Sequence, residues 1–197
     1  MGSGIEILGA HCEGDEWVRG VVYAISIKTS ASGGERLRDY WASFEAFEIA
    51  PSMRALGYAP HVTLAVYDHV SEAELRAAVS ITFGKHPAFK LRFNSLSQFV
   101  EPQVVFWANP DPSSVLQRAH ARVHDFIDPA LCRPHYRPGS WVPHCTLATN
   151  IDPRFRAEAM ALAAVPIDPF EIIFDIADCI VGMPIKVLEE IALRVVG

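Results

Sequence analysis

The sequence lacks any apolar run long enough to span a bilayer, and it lacks a basic segment leading into an apolar core near its start. A membrane-spanning helix needs about 20 predominantly apolar residues, and a secretory signal needs the basic-then-apolar pattern. The four cysteines form no C-x-x-C pair. Without a secretion signal, we expect them to be free thiols in a reducing compartment. These absences predict a cytoplasmic protein that does not enter a membrane.

Positive charge is also scarce. The 197 residues include 17 Lys and Arg against 23 Asp and Glu, which gives a formal net charge of −6. Sequence-independent binding along a nucleic acid needs a basic surface that displaces counterions. We therefore expect no long nucleic-acid footprint, although a local basic pocket can still hold a small anionic ligand. The hydrophobic content of 50% is ordinary for a globular chain of one domain or two small lobes.

Two well-separated apolar stretches contain the same motif, Pro-His-x-Thr-Leu-Ala. They are "PHVTLAVYD" at 60–68 and "PHCTLATN" at 143–150. Each is short and rich in β-formers, as strands are. Alternate side chains of a strand share a face. The alternation predicts one polar face per strand, with His61, Thr63, Ala65 and Tyr67 on the first and His144, Thr146, Ala148 and Asn150 on the second.

The two motifs open matching series of elements. A predicted helix, a strand, a turn and a further strand follow each one, and the offset from motif to second strand is 28 positions (61 to 89) or 26 (144 to 170). Within the first unit the turn is predicted at Glu101–Pro102, and the helix is predicted from a capping box at Ser71 and Glu74.

The predicted fold is α+β and bilobal, with duplicated β-α-β-β units whose antiparallel sheets surround a central cleft. We expect one domain over 1–197, with repeat units at about 61–107 and 144–195. Residues 1–17 are expected to be extended or partly tag-derived, and the opening "MGSG" carries no weight in this prediction.

Two His and two Thr around one cleft suit a phosphodiester. Two imidazoles with a pKa near ~6.5 can hold opposite protonation states at neutral pH, one as general base and one as general acid. Threonine hydroxyls can donate to phosphoryl oxygens during the displacement. Packing alone would favour Val or Ile at these positions. We therefore predict that His61, Thr63, His144 and Thr146 are catalytic, with no metal and no cofactor.

With its paired Pro-His-x-Thr-Leu motifs and its repeat from about 18 to 195, the chain resembles the two-histidine (2H) phosphoesterase superfamily of 2′-5′ RNA ligase-like proteins and RNA 2′,3′-cyclic phosphodiesterases. The resemblance implies a metal-independent enzyme acting on a 2′,3′-cyclic or 2′-5′ phosphodiester. RNA-processing members often carry Arg or Lys shortly after the motif, where this chain has "LAVY" and "LATN". A small nucleotide or an RNA end is therefore the expected substrate. A non-catalytic nucleotide-binding relative and a 2′-5′ RNA ligase are the alternatives.

Four further residues are candidates for contact with the substrate. Arg137 lies in the loop before the second motif and is the candidate cation, and the aromatic rings suited to stacking on a base are Tyr67, Tyr136 and Trp141.

His120 and His124 have a spacing that can hold zinc, but no third ligand is recognisable, and "RAHARVHD" is typical of a solvated helix face. Alternation places Cys145 in the core. We expect a monomer.

Overall fold

The computed structural model describes residues 11–13, 16–18, 21–30, 32–100, 103–182 and 184–194. The turn predicted at Glu101–Pro102 and most of residues 1–17 lie outside these ranges. Within them the chain forms four α-helices, α1 (Glu35–Phe44), α2 (Glu72–Phe83), α3 (Ser114–Phe126) and α4 (Arg156–Ala163). It also forms ten strands: β1 (His11–Glu13), β2 (Glu16–Val18), β3 (Tyr23–Lys28), β4 (His61–Tyr67), β5 (Phe89–Phe99), β6 (Val105–Pro110), β7 (Cys145–Ala148), β8 (Phe170–Phe174), β9 (Ile176–Val181) and β10 (Lys186–Ala192).

Eight of these strands build two antiparallel sheets of four. The first sheet has the order β10-β9-β3-β4, and the second has the order β7-β6-β5-β8. β1 and β2 form a separate pair. The strands that carry the two motifs, β4 and β7, are thus the edge strands of different sheets. The predicted bilobal, duplicated, antiparallel architecture is confirmed.

The two halves of the chain exchange strands. β5 follows the first motif in sequence but pairs with β6 of the second sheet, while β9 follows the second motif but pairs with β3 of the first. β5 also pairs with β8, with Leu91 opposite Ile172. The rings of Phe93 and Phe170 stack there at a centroid distance of 5.4 Å. Residues 170–181 have the sequence of one continuous strand but form two, β8 and β9, because the chain passes from one sheet to the other at Asp175.

The helices pack in the same reciprocal way. α1, from the first half, packs against β7, and α3, from the second half, packs against β4. The buried side of α1 presents Leu37, Trp41 and Phe44. Phe44 stacks on Phe106 of the second sheet at 5.0 Å. Since one apolar cluster runs through both sheets, each motif strand is buried partly by the other half of the chain.

Local signals explain most of the element boundaries. The capping box at α2 is present as predicted, with Ser71 accepting from the backbone of Glu74 and the Glu74 carboxylate accepting in return. β4 and β5 begin at the predicted positions, His61 and Phe89. The sequence of residues 35–49 has the pattern of one helix, but α1 ends at Phe44 and the chain continues as a single 3₁₀ turn. In the described part of the chain, no helix has the length and hydrophobicity that crossing a membrane requires.

Candidate active site

The two motif histidines are held in the same way. The Nδ1 of His61 lies 2.9 Å from the carbonyl oxygen of Ala59, and the Nδ1 of His144 lies 2.7 Å from that of Val142. A carbonyl oxygen only accepts, so each Nδ1 carries a hydrogen and donates it. Each Nε2 therefore carries a lone pair that accepts a proton when the ring is neutral, and an N–H that donates one when the ring is charged. Both rings are therefore set to exchange a proton through Nε2.

Burial lowers the pKa of both motif histidines. Burial is the main cause that lowers the pKa of His61 to about 4, and the nearby His144 and Lys28 add to this shift. Burial also lowers the pKa of His144. In both cases the hydrogen bond to the carbonyl opposes the shift. The unliganded site is thus set to hold both rings neutral at pH 7, and an anion placed between them would favour charging one of the two.

A β-bulge follows the first motif. The residues of β3 that face Thr63 and Ala65 are adjacent, so Leu64 is an extra residue on β4. An extra residue reverses the alternation of faces beyond it. Ala65 and Tyr67 therefore lie on the face opposite to His61 and Thr63, and the prediction that all four share one face is wrong.

The second motif carries the same bulge at the matching position. Thr146 and Ala148 face adjacent residues of β6, which makes Leu147 the extra residue. Ala148 thus lies opposite to Thr146, and Asn150 lies beyond the strand with a positive φ of 49°. The accessible face of each motif is limited to its His and its Thr. The two motifs therefore share their backbone geometry as well as their sequence.

A row of polar side chains crosses the first sheet beside its motif. In register across the four strands lie Thr63, Ser26, Asp178 and Glu190. Ser26 is fully buried, and its hydroxyl lies 3.4 Å from that of Thr63. When Ser26 donates to Thr63, the hydrogen of the Thr63 hydroxyl remains available for a ligand oxygen.

A buried ion pair supports this row. Lys28, which faces His61 across the strands, contacts the carboxylates of Asp178 and Glu190, each at 2.6 Å. Burial by itself lowers the pKa of Lys28, but the two carboxylates outweigh it and raise that pKa above its ordinary value. Tyr58 donates its hydroxyl to Asp178 at 2.6 Å, and its ring packs 4.7 Å from the ring of His61. His61 therefore stands against a fixed polar wall.

The second motif stands against an aromatic wall instead. The rings of Phe99 and Trp107 stack at 5.2 Å, and both present an edge-on contact to His144 at 5.8 and 5.7 Å. A shallow hollow opens beside His144, lined by Phe99, His135, Tyr136, Ser140, Val142 and His144. The site is symmetric in its His and Thr groups but asymmetric in what surrounds them.

Two hydrogen bonds, one for each motif, link the motifs to the other half of the chain. The indole Nε1 of Trp141 donates to the carbonyl of Thr63, and that of Trp41 donates to the carbonyl of Thr146, both at 3.0 Å. Cys145, the residue between His144 and Thr146, is fully buried. Burial raises the pKa of this thiol to about 12, which suits a core side chain better than a nucleophile.

The four residues predicted to touch a substrate have different surroundings. Tyr136 lines the hollow beside His144. Tyr67 is fully buried, and its hydroxyl has no partner among the described residues, so its ring offers no surface for stacking. Arg137 donates to the carbonyls of Cys132 and Ala130 at 2.7 and 2.9 Å, which ties its guanidinium to its own loop. Trp141 is half-buried between the motif and α3.

The prediction that His120 and His124 lie on a solvated face is wrong, because the side chains are only 4% and 6% exposed. Both Nε2 atoms point at the carbonyl oxygen of Tyr136, at 2.8 and 2.9 Å. The ring of His120 also stacks on Trp141 at 4.0 Å and 4°. Among the residues that the structure describes, no three His, Cys, Asp or Glu side chains group as metal ligands.

Sequence reasoning missed the residues behind the histidines, although part of the signal was present. Both motifs are preceded by an aromatic residue at the same distance, Tyr58 in "YAPH" and Trp141 in "WVPH". That repeat marks a supporting position three residues before each histidine. No local pattern singles out Lys28, Asp178 or Trp41, because they reach the site from distant elements.

Two four-stranded sheets with a His-x-Thr motif on an edge strand of each define the two-histidine class of fold. The family model of the 2′-5′ RNA ligase superfamily matches residues 35–180. The chain therefore belongs to the 2′-5′ RNA ligase superfamily, also known as the 2H phosphoesterases.

Solved structures agree with this fold at low sequence identity. E. coli LigT in its apo form is 18% identical with a TM-score of 0.58, over 89% of this chain and 98% of that one. TT0787 of Thermus thermophilus is 18% identical with a TM-score of 0.54, over 89% of this chain and all of that one (100%). LigT complexed with 3′-AMP is 16% identical with a TM-score of 0.57, over 88% and 98%. No curated protein matches the chain significantly.

Proposed function

We propose that this protein is a metal-independent phosphodiesterase that hydrolyses a 2′,3′-cyclic or 2′-5′ phosphodiester of a nucleotide or an RNA end. The observation that carries the proposal is the identical setting of two histidines. In both motifs Nδ1 is tied to the carbonyl two residues earlier, which leaves Nε2 for proton transfer, and a threonine stands on the same strand face.

The proposed reaction uses the pair in opposite protonation states. The neutral imidazole takes a proton from water as the water oxygen bonds to phosphorus. The charged imidazole gives its proton to the departing ribose oxygen as that P–O bond breaks, so the net change is addition of one water. Thr63 and Thr146 donate to the non-bridging oxygens, where charge redistributes during the displacement. Metal is not required, since side chains supply every one of these groups.

The surroundings of the site favour a small substrate. The hollow beside His144 is walled by Phe99 and Tyr136 and suits the base or ribose of one nucleotide. Lys28, the cation that faces His61 across the strands, is already paired with two carboxylates. A singly charged phosphodiester therefore fits this site better than a long polyanion.

A substrate panel tests the proposal. The purified protein is assayed with 2′,3′-cyclic nucleotides, 2′-5′ dinucleotides, 3′-5′ dinucleotides and ADP-ribose cyclic phosphate, each with EDTA present and absent. We expect turnover of a cyclic or 2′-5′ substrate that EDTA leaves unchanged. Binding without turnover on the whole panel would favour the non-catalytic alternative. Activity that EDTA abolishes and that zinc or manganese restores would contradict the mechanism.

A substrate with a very acidic leaving group assigns the two histidines. Nitrophenolate departs without a proton, so a nucleoside nitrophenyl phosphodiester does not need the acid. With this substrate, removal of the general acid should lower kcat only slightly, whereas removal of the general base should lower kcat as much as it does with the natural substrate. We propose His144 as the base and His61 as the acid. Rescue of His144→Ala but not of His61→Ala would reverse this assignment, and rescue of neither would contradict proton transfer by the pair.

A further inference from the structure

The two motif strands have no sheet bonding that fixes one against the other. β4 is an edge strand of the first sheet and β7 is an edge strand of the second. Among the described residues, no β-ladder joins β4 to β7. A reaction that needs both His-x-Thr pairs around one phosphorus nevertheless requires a constant spacing. Contacts other than β-ladders have to set it.

Two tryptophans provide such contacts, and each crosses from one half of the chain to the other. Trp41 lies on α1 and donates to the carbonyl of Thr146, while Trp141 lies just before β7 and donates to the carbonyl of Thr63. Each acceptor belongs to an edge strand. A buried edge carbonyl without a donor is costly, so these bonds satisfy a real requirement of the backbone.

Both indoles are held firmly on their own side. Trp41 is 4% exposed, in the buried face of a helix that packs against β7. Trp141 stacks in parallel on His120, and His120 is fixed in turn by its bond to the Tyr136 carbonyl. Because each indole is fixed on its own side, its hydrogen bond fixes the position of the threonine peptide group relative to the element that carries the tryptophan.

We infer that Trp41 and Trp141 are positioning residues that set the spacing and orientation of the two His-x-Thr strands through the carbonyls of Thr146 and Thr63. This inference rests on the proposed phosphodiesterase function. The peptide plane that holds each carbonyl also carries the threonine Cα, so tilting that plane moves the hydroxyl that faces the substrate. Neither indole touches the reacting atoms in this assignment.

The test removes only the indole N–H. Trp41→Phe and Trp141→Phe keep an aromatic ring without the donor, and replacing either tryptophan by 3-benzothienylalanine, in which sulfur takes the place of the N–H, also keeps the bicyclic shape. We expect kcat to fall by about tenfold or more in each variant while KM stays within about threefold, because misplaced groups lose transition-state contacts first.

Tyr40→Phe is the matched control. It removes one hydroxyl from an aromatic ring at the neighbouring position of α1, where the ring packs near Phe170. We expect its kcat to equal that of the parent. If the benzothienylalanine variants kept kcat within twofold of the parent, the inference would be overturned even where the phenylalanine variants had lost stability.

A second measurement does not depend on turnover. The indole N–H signals of Trp41 and Trp141 are assigned by the same variants, and their hydrogen exchange is followed by NMR. Slow exchange for both is expected, and exchange as fast as in a solvated indole would overturn the inference. If the parent cleaved nothing on the substrate panel while both indoles exchanged slowly, the proposed function would fail and the cross-links themselves would stand.

Discussion

At the scale of single residues, the site combines reactive side chains that keep only a small exposed fraction with buried side chains that hold them in place. His61 and Thr63 are each 7% exposed, so most of each side chain is enclosed. Their polar tips are served by fixed partners, Ala59 for the imidazole and Ser26 for the hydroxyl. Enclosure of this kind reduces the motion that misaligns reacting groups.

The first prediction concerns the four motif side chains. His61→Ala and His144→Ala should each lower kcat by at least ~10²-fold, the usual loss on removing a general acid or base. Thr63→Ala and Thr146→Ala should cost about the same order through lost oxyanion donors. Steady-state kinetics on the best substrate of the panel measures these losses, and circular dichroism checks that each variant folds.

His69→Ala is the control for this series, because His69 is exposed and lies outside the site. Its activity should match that of the parent. If either motif histidine could be removed with near-full activity on every substrate that the parent cleaves, paired acid–base catalysis would be excluded.

The second prediction concerns the buried ion pair. Lys28→Met leaves the buried carboxylate of Asp178 without its cation and should lower the free energy of unfolding by about 3–5 kcal/mol, the usual cost of breaking a buried pair. The double change Lys28→Met with Asp178→Leu should recover much of that loss. Urea denaturation measures both.

Lys90→Met provides the comparison on the surface. Lys90 pairs with Glu171 at 3.2 Å, but both side chains are more than half exposed. Its loss should change the unfolding free energy by less than about 1 kcal/mol. Equal effects at Lys28 and Lys90 would show that Lys28 does not depend on a buried partner.

At the scale of elements, each motif strand behaves as a unit with its bulge. The extra residue at Leu64 or Leu147 reverses the alternation of faces along the strand. The face that carries each His-x-Thr pair therefore ends at the threonine. Short edge strands with bulges are also poor templates for further β-pairing, which suits strands placed at the edges of both sheets.

The third prediction belongs to α2. Ser71→Ala removes the N-cap of the capping box and should destabilise the protein by about 1 kcal/mol. kcat should not change, because α2 packs mainly against β10, β9 and α3, and Ser71 is exposed at its N-terminus. Ser80→Ala, at an exposed position within the same helix, should be neutral or slightly stabilising. A loss of activity in Ser71→Ala at a temperature where it is folded would contradict this separation of roles.

At the scale of the whole molecule, buried histidines couple stability to pH. Burial lowers the pKa of His61 and His120 to about 4 and also lowers the pKa of His124 and His144. The unfolded chain binds these protons near pH 6.5, well before the folded one does. The unfolded state therefore takes up more protons between pH 6.5 and about 4, and stability falls as pH falls through this window.

The fourth prediction gives this effect a size and a control. The free energy of unfolding should drop between pH 7.5 and pH 5, with a slope of up to about 1.4 kcal/mol per pH unit for each histidine. Glu48 opposes it, since burial raises its pKa to about 7 and the folded state then holds a proton that the unfolded state has released. Glu48→Gln should therefore steepen the fall on acidification. Urea denaturation at several pH values decides, and a stability that is flat or rises towards pH 5 would contradict the assignment.

The sequence by itself determined the duplication, the class of fold and the catalytic candidates. The repeated spelling at 60–68 and 143–150 encodes two short strands, and matching offsets place a helix and a strand after each. Turn and cap chemistry is local, so Ser71 and Glu74 could be read as a capping box without knowing what α2 packs against. The start of strand β4 at His61 was predictable as well, because its β-forming residues are contiguous in sequence.

Only the tertiary structure decided which groups support those candidates. The bulge at Leu64 depends on the register against β3, so simple alternation wrongly placed Tyr67 beside His61. His120 and His124 were predicted to be solvated because the sequence of a helix reveals its polar face. It does not reveal that a distant loop, here the one with Tyr136, covers that face. Lys28 and Asp178 are 150 positions apart, and they meet because β9 crosses into the sheet of β3. Long-range pairing and burial are properties of the assembled sheets, and no local window of the sequence contains them.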